Sequence, residues 1–344
     1  MKISILCVGG SPNLVTEKTI YGDSVQLGVG GAELALFTMC KVWHECGHDV
    51  TLYNNPREMG ASCFKQDSDA HFNPDEDRDI LIYFRGPHPK GINAKGKKIW
   101  WSCDQRTMGD YNQLANEVSE IVTISLFHAK YFEDTYGIRN THVIDLAVRE
   151  WEYQNVVEKN PLQVIFCSVP DRGLVELAKV WEMVTAQVPE AQLHITSDWR
   201  LWDATLPESM VAKYRMMFAG FNNVHYHSLV NRTELIRLQQ QSSIHLYPSV
   251  YEELFCISAA ECQYAGAFPI TSNVGALATT NMGYTSTYHP STLIGQIDLA
   301  SVASAYLKNP ELLKSRISQV MRFARARFGI DTIAEKWEHI FNND

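Results

Sequence analysis

Short apolar runs of strand length alternate with longer amphipathic stretches along almost the whole chain, and no other feature narrows its fold as much. Residues 2–8, 49–53, 79–84, 97–102, 120–124 and 143–144 read as strands. Between them lie helical patterns such as the one carrying Leu34, Phe37, Met39, Val42 and Trp43. Strands buried on both faces and joined by helical crossovers form a parallel sheet with helices on each side. The alternation lapses in a polar stretch around 151–161 and restarts with strands at 163–167, 192–196, 224–227, 244–247 and 267–271. Helices are expected at about 174–188, from Asn231, and at about 296–307, 312–328 and 332–341. The expected architecture is α/β, with one parallel-sheet domain at 1–155, a second at 156–325 and a C-terminal helix at 326–344.

A chain of 344 residues is long enough for two such cores, and 45% hydrophobic with 20% charged residues is the balance of a soluble globular protein. No apolar run approaches the roughly 18 residues of a membrane-spanning helix. The first residues, MKISILCVGG, read as a strand rather than a secretory leader. A net charge of −9 argues against general nucleic-acid binding. The eight cysteines are scattered without a C-x-x-C pair, which fits reduced core thiols and a cytoplasmic location.

Chemistry concentrates in residues 247–280. Pro248 and Ser249 end an apolar strand, a loop carries Glu253, a helix carries Glu261, and a second strand runs into another loop at 273–275. Both loops leave the C-terminal ends of strands, where open parallel sheets bind ligands. The helix start offers free backbone N–H groups at Phe255, Cys256 and Ile257, a setting that suits a phosphate. Carboxylates flanking a phosphate would accept hydrogen bonds from hydroxyls on either side of it, which is the layout of a nucleotide-sugar. The same residues have a plainer reading. Ser258-x-x-Glu261 is a capping box that explains Glu261 without a ligand, and Glu252 and Glu253 are then solvated loop charges.

Elsewhere, Gly28-Val-Gly30-Gly31-Ala-Glu33 opens a helix. It stands about twenty residues after its strand, too far for the dinucleotide fingerprint, which disfavours a dehydrogenase. Arg172 ends a strand-to-helix loop, where a cation fits a diphosphate. His88 and His128 lie at C-terminal ends of strands and read best as loop or capping residues. Trp100 and Trp101 beside Lys90, Lys95, Lys97 and Lys98 read as core residues next to solvated lysines, so a peripheral membrane patch has no support. H-E-x-x-H, D-x-D and clustered ligand sets are missing from the sequence, so no metal site is expected.

The window from Pro248 to Ser272 resembles the E-x7-E region of GT-B glycosyltransferases, in particular the retaining GT4 family. The agreements are Pro248-Ser249, Glu253, Phe255, Glu261, Gly266, Pro269-Ile270 and Ser272. Gly47-His48-Asp49-Val50-Thr51 resembles that family's G-H-x-V-T, and Gly30-Gly31-Ala-Glu33 its G-G-x-E helix start. The resemblance implies two Rossmann-like domains facing a central cleft, with the last helix crossing back to the first domain. It implies an acceptor-binding N-terminal domain and a C-terminal domain that holds a nucleotide-sugar donor. Glu253 then faces the donor sugar, Glu261 the ribose, and the backbone at Gly30 and Gly31 approaches the donor phosphate. Backbone N–H groups, a helix dipole and basic residues stabilise the leaving diphosphate, so neither metal nor cofactor is implied.

Two departures accompany the resemblance. Arg172 stands directly before Gly173 where the family carries Lys, and Ser168 occupies the place of the family's Arg. Cys103-Asp104 ends a strand where the family usually has His, often His-Asp. Asp104 is the candidate for ordering the acceptor or a sugar hydroxyl, and Cys103 reads as packing. The implied activity is metal-independent transfer of a sugar, with retention, to a hydroxyl of a glycan, lipid-linked or other acceptor. The alternatives are a nucleotide-sugar epimerase of the same fold and a degenerate nucleotide-sugar-binding protein without transfer activity. Base recognition falls to backbone near Ser197-Asp198 and Leu229-Val230.

Overall fold

The structure, a computed structural model, describes residues 1–7, 15–21, 29–105, 109–202 and 207–343. The expected turn at 9–12 and Gly28 lie outside the described residues. The described chain divides into two units: residues 1–21, 29–147 and 330–343 form the first, and 148–329 the second.

The first unit runs β1 (Lys2–Cys7), α1 (Glu17–Tyr21), α2 (Gly31–Glu45), β2 (Asp49–Tyr53), β3 (Lys65–Asp67), β4 (Ile80–Phe84), β5 (Lys97–Trp101), α3 (Tyr111–Glu117), β6 (Glu120–Thr123), α4 (Leu126–Tyr136) and β7 (His142–Val143). Its strands are parallel, in the order β3-β2-β1-β4-β5-β6-β7. β1 and β4 are central and almost wholly apolar, as a strand covered on both faces must be. Trp100 and Trp101 are both core residues.

The second unit runs β8 (Asn160–Cys167), α5 (Leu174–Gln187), β9 (Gln192–Thr196), α6 (Glu208–Met216), β10 (Val224–Tyr226), α7 (Arg232–Gln241), β11 (Ser242–Tyr247), α8 (Ile257–Tyr264), β12 (Phe268–Thr271), α9 (Leu277–Thr280), β13 (Tyr284–Thr285), α10 (Leu293–Leu307) and α11 (Pro310–Phe328). Its parallel sheet has the order β10-β9-β8-β11-β12-β13. Val164, Phe166, Leu246 and Ile270 from the sheet meet Leu177, Trp181 and Ala303 from the helices in its core.

The chain then returns to the first unit as α12 (Ile330–Asn342). The Trp337 ring packs edge-on against Trp43 at 5.2 Å and Trp101 at 5.1 Å. His48 and Glu338 meet at 2.6 Å beside this aromatic cluster.

The two units divide at 147/148 and 329/330. The polar stretch read as a linker is folded onto α7. Tyr153 is buried with its hydroxyl donating to Gln239 Oε1 at 2.7 Å, and Gln240 Nε2 donates to the Asn155 carbonyl at 2.8 Å. Strand β3 and helix α6 escape hydropathy reading for a related reason: KQD is polar, and none of the α6 side chains is buried. Among the described residues, no helix is long and apolar enough to cross a membrane.

Helix α4 begins and ends as its sequence dictates. Ser125 Oγ caps it by accepting from the His128 N–H at 2.9 Å, and Gly137 closes it in the left-handed conformation, φ 72°. His128 itself is fully buried against Phe132, with Nδ1 accepting from the Ile124 N–H at 3.3 Å. Burial lowers its pKa to about 3. The unfolded chain therefore binds a proton near the ordinary imidazole value of 6.5 that the folded chain refuses, and stability falls as pH drops from 6.5 towards 3. Between pH 7 and 5, His128→Gln should show a smaller loss of unfolding free energy than the parent, by about 2 kcal/mol. Parallel pH profiles for the two proteins in urea titrations would mean that His128 takes up its proton as readily in the fold as in the unfolded chain.

Candidate active site

In the second sheet the chain leaves β8 for β9 on one side and occupies the other side with β11. A crevice opens at such a switch point, beyond the carboxyl ends of the two strands. Two glycines press its loops together. Gly173 has φ +106°, and a Cβ there would stand 2.2 Å from the Pro248 carbonyl oxygen. Gly275 has φ +62°, and its Cβ would stand 2.5 Å from both N and O of Glu253. Glycine takes these backbone angles without strain, and no residue with a Cβ fits these approaches. The Ala276 N–H donates to the Glu253 carbonyl at 2.7 Å, which fixes the Glu253 backbone from the third loop.

Arg172 and Glu253 meet in this crevice. Arg172 Nε lies 3.3 Å from Glu253 Oε1, and Nη1 lies 2.9 Å from Asp171 Oδ2. The guanidinium covers the face of Tyr251, 3.3 Å from the ring centre. The Tyr247 hydroxyl donates to Glu253 Oε1 at 2.6 Å and lies 3.2 Å from Ser168 Oγ. Burial pushes the Glu253 carboxyl up from its ordinary range, while Arg172 and Tyr247 pull it back. Arg172 is therefore no surface cation. It is a buried one held between two carboxylates and an aromatic face.

Helix α8 starts at Ile257, and its N-cap is Cys256 at φ 72°, a left-handed conformation that a non-glycine residue adopts only under constraint. No side chain caps this end. Among the described residues, no acceptor takes the N–H of Phe255, Cys256 or Ile257. Phe255 anchors the turn by packing on Phe328 at 5.6 Å.

The capping box is not formed. Ser258 lies inside the helix with Oγ 3.4 Å from Cys256 Sγ, and Glu261 lies beyond the first turn. Glu261 is instead buried in an ion network. Arg232 Nη2 donates to Glu261 Oε1 at 2.5 Å and Nη1 to Oε2 at 3.2 Å, while Gln239 Nε2 donates to Oε2 at 3.3 Å. Arg232 also meets Glu152 at 2.5 Å, and Glu152 meets Arg149 at 3.1 Å. Charges thus alternate along Arg149, Glu152, Arg232 and Glu261 in the interior. Arg232 carried a signal that sequence reading missed: it is the first residue of α7, where the helix dipole disfavours a cation unless carboxylates hold it.

The first unit carries a second cluster at the equivalent place, after its switch-point strands β1 and β4. Arg85 directly follows β4 with φ 77°. Its Nη2 lies 3.2 Å from Glu33 Oε1, and its Nε lies 2.9 Å from Asp104 Oδ2. Burial, with Glu33 adding to it, raises the Asp104 carboxyl, and Arg85 opposes the rise. Glu33 is in the first turn of α2, after Gly30 and Gly31, so Arg85 ties that helix start to Asp104. Gly30 has an ordinary φ of −70°, a backbone conformation open to any residue. Arg85 is a partner that sequence reading passed over. Burial also raises the Cys103 thiol, which fits packing and not a nucleophile. His88 is buried and accepts from the Lys90 N–H at 3.3 Å, a turn role.

The sequence offered no clustered metal ligands, yet the fold assembles a set: Cys167, His245 and Cys262 are all buried, with one ligand atom of each within 4.8 Å of the others.

Two α/β units with wholly parallel sheets, each with a charged cluster at its switch point, have the architecture of the GT-B glycosyltransferase fold. Anabaena Alr3699/HepE in complex with UDP aligns with a TM-score of 0.70 at 14% identity, over 99% of this chain and 99% of that one. Sucrose-phosphate synthase from Thermosynechococcus elongatus aligns with a TM-score of 0.68 at 13% identity, over 99% and 98%. S. aureus TarM, in complex with UDP among other ligands, aligns with a TM-score of 0.59 at 16% identity over 77% of this chain, which spans 55% of TarM. No protein-family model matches the sequence, and no curated protein does either.

Proposed function

We propose that the protein is a retaining glycosyltransferase resembling the GT4 family, moving a sugar from a nucleotide-sugar to an acceptor hydroxyl. The observation that carries this reading is the Arg172–Glu253–Tyr247 group at the β8/β11 switch point, beside the open N-terminus of α8. The α8 dipole, the N–H groups of Phe255, Cys256 and Ile257, and Arg172 receive the leaving diphosphate. Glu253 faces the donor sugar. Asp104, held by Arg85, orders the acceptor or a sugar hydroxyl, and Gly30 and Gly31 give the donor phosphate a close backbone approach. Glu261, buried and held at both oxygens by Arg232 and Gln239, is the residue that the family resemblance assigns to the ribose. The reaction calls on no Mg²⁺ or Mn²⁺, and the first unit takes the acceptor, the second the donor. HepE with UDP and glucose bound supports a nucleotide-sugar as the donor class. All eight cysteines are free, which supports a reducing, cytoplasmic setting.

A second reading, a nucleotide-sugar-binding protein without transfer, is favoured by one observation: the Arg172 charge is already matched by Asp171 and Glu253, and Ser168 adds no cation. A thermal-shift panel of UDP, GDP, ADP and TDP, followed by turnover of the matching donors, separates the readings. Saturation at a hundredfold excess over Kd stabilises the fold by roughly 2.7 kcal/mol. Transferred product supports the transferase, epimerised donor an epimerase, and binding without turnover the degenerate form. Arg172→Ala should weaken nucleoside diphosphate binding by about 1.5–3 kcal/mol and leave nucleoside affinity nearly unchanged, as isothermal calorimetry can measure. Equal losses for both would move Arg172 away from the diphosphate.

A further inference from the structure

Cys167 closes β8, His245 lies on β11 and Cys262 on α8, so three separate elements of the second unit converge on one point. The two sulfurs are 3.5 Å apart. Two thiolates on one metal ion at about 2.3 Å each stand about 3.8 Å apart at the tetrahedral angle, so the pair needs to open by only a few tenths of an ångström. The His245 side chain is fully buried, and neither ring nitrogen makes a hydrogen bond within the protein. A buried imidazole without partners is costly, and a metal ion is one group that takes up such a nitrogen. Gln239 Nε2 points at Cys167 Sγ from 3.9 Å, the kind of outer hydrogen bond that supports a thiolate ligand.

The surroundings match this chemistry. Ile165, Leu238 and Ala267 pack around the two cysteines, so the site is closed to solvent. Neither cysteine belongs to the diphosphate crevice as described.

We infer that Cys167, His245 and Cys262 form a buried site for a thiophilic d10 cation, separate from the transfer chemistry and bracing β8, β11 and α8. Soft thiolates with one imidazole select Zn²⁺ or Cu⁺ over Mg²⁺ and Ca²⁺. Charge balance favours Zn²⁺, which two thiolates neutralise; three protein donors suit Cu⁺, since closed zinc sites carry four. Binding displaces the thiol protons.

The test uses the full-length protein, reduced and freed of chelator, titrated with Cd²⁺ while the near-ultraviolet thiolate-to-metal band is followed. One Cd²⁺ per chain by native mass spectrometry, with the band, is expected. Displacement by Zn²⁺ or by Cu⁺ identifies which ion the site prefers, and Mg²⁺ should displace nothing. Cys167→Ala and Cys262→Ala should each abolish the band, and His245→Phe should weaken Cd²⁺ retention. Circular dichroism and the thermal transition check that each variant is folded, and His245→Phe keeps both thiols should a cysteine variant fail. Three outcomes overturn the inference: no band at stoichiometric Cd²⁺, a band that survives in folded cysteine variants, or a Cys167–Cys262 disulfide in protein isolated without oxidant. Loss of donor turnover alone would touch the proposed transferase and not this site.

Discussion

Glu253→Gln should slow sugar transfer by about 10²–10³ while nucleoside diphosphate affinity stays at the parent value. The substitution keeps the shape of the side chain and removes its charge. Positive charge develops on the donor sugar as the glycosidic bond breaks, and a carboxylate fixed in advance stabilises it without reorganising. Glu253 is fixed in that sense: Tyr247 donates to it at 2.6 Å, Arg172 lies 3.3 Å away, and the loop after β12 clamps its backbone. The fold should tolerate the change because Arg172 retains Asp171 at 2.9 Å. Initial rates on the turned-over donor, paired with calorimetry of the diphosphate, make the measurement. A parent-like rate with parent-like binding would leave Glu253 as an ordinary buried loop acid.

Arg232→Met should destabilise the second unit by about 3–5 kcal/mol, the usual cost of breaking a buried ion pair from one side. Arg232 separates two buried carboxylates, Glu152 at 2.5 Å and Glu261 at 2.5 Å. Without it they share one interior region, with Arg149 beside Glu152 and Gln239 beside Glu261. Glu261→Gln in the parent background should cost less, since Arg232 keeps Glu152. Adding Glu261→Gln to Arg232→Met should restore part of the loss by removing the stranded charge, a coupling that a double-mutant cycle in urea reads directly. Additive losses would show that Arg232 and Glu261 do not depend on each other. A parent-like stability for Arg232→Met would remove the network from the account of this fold.

Much of this was legible in residue order. The alternation of apolar runs gave two parallel-sheet units, Ser125 and Gly137 marked both ends of α4, and the loop after 247 put Glu253 at a strand's carboxyl end. The environment of Glu261 was hidden. Its partners Arg232 and Glu152 come from α7 and from a polar turn that reads as linker, and no local pattern links charges that distant in sequence. Glu33, Arg85 and Asp104 escape for the same reason, because each is unremarkable alone and only the switch point of the sheet gathers them. Cys167, His245 and Cys262 likewise carry no spacing signature, since a strand end, a strand centre and a helix supply one residue each.

The return of α12 to the first unit bears on how the protein is made. Residues 148–329 leave the ribosome in one piece, so the second unit can complete its core while synthesis continues. The first unit begins earlier but must wait for Trp337 and Phe341 to cover Trp43 and Trp101. During that interval a nascent chain carries an uncovered tryptophan surface, which is what a chaperone binds and what a premature stop codon near the end would expose for good. A message truncated after residue 329 should therefore yield a soluble second unit tethered to an unfinished first one.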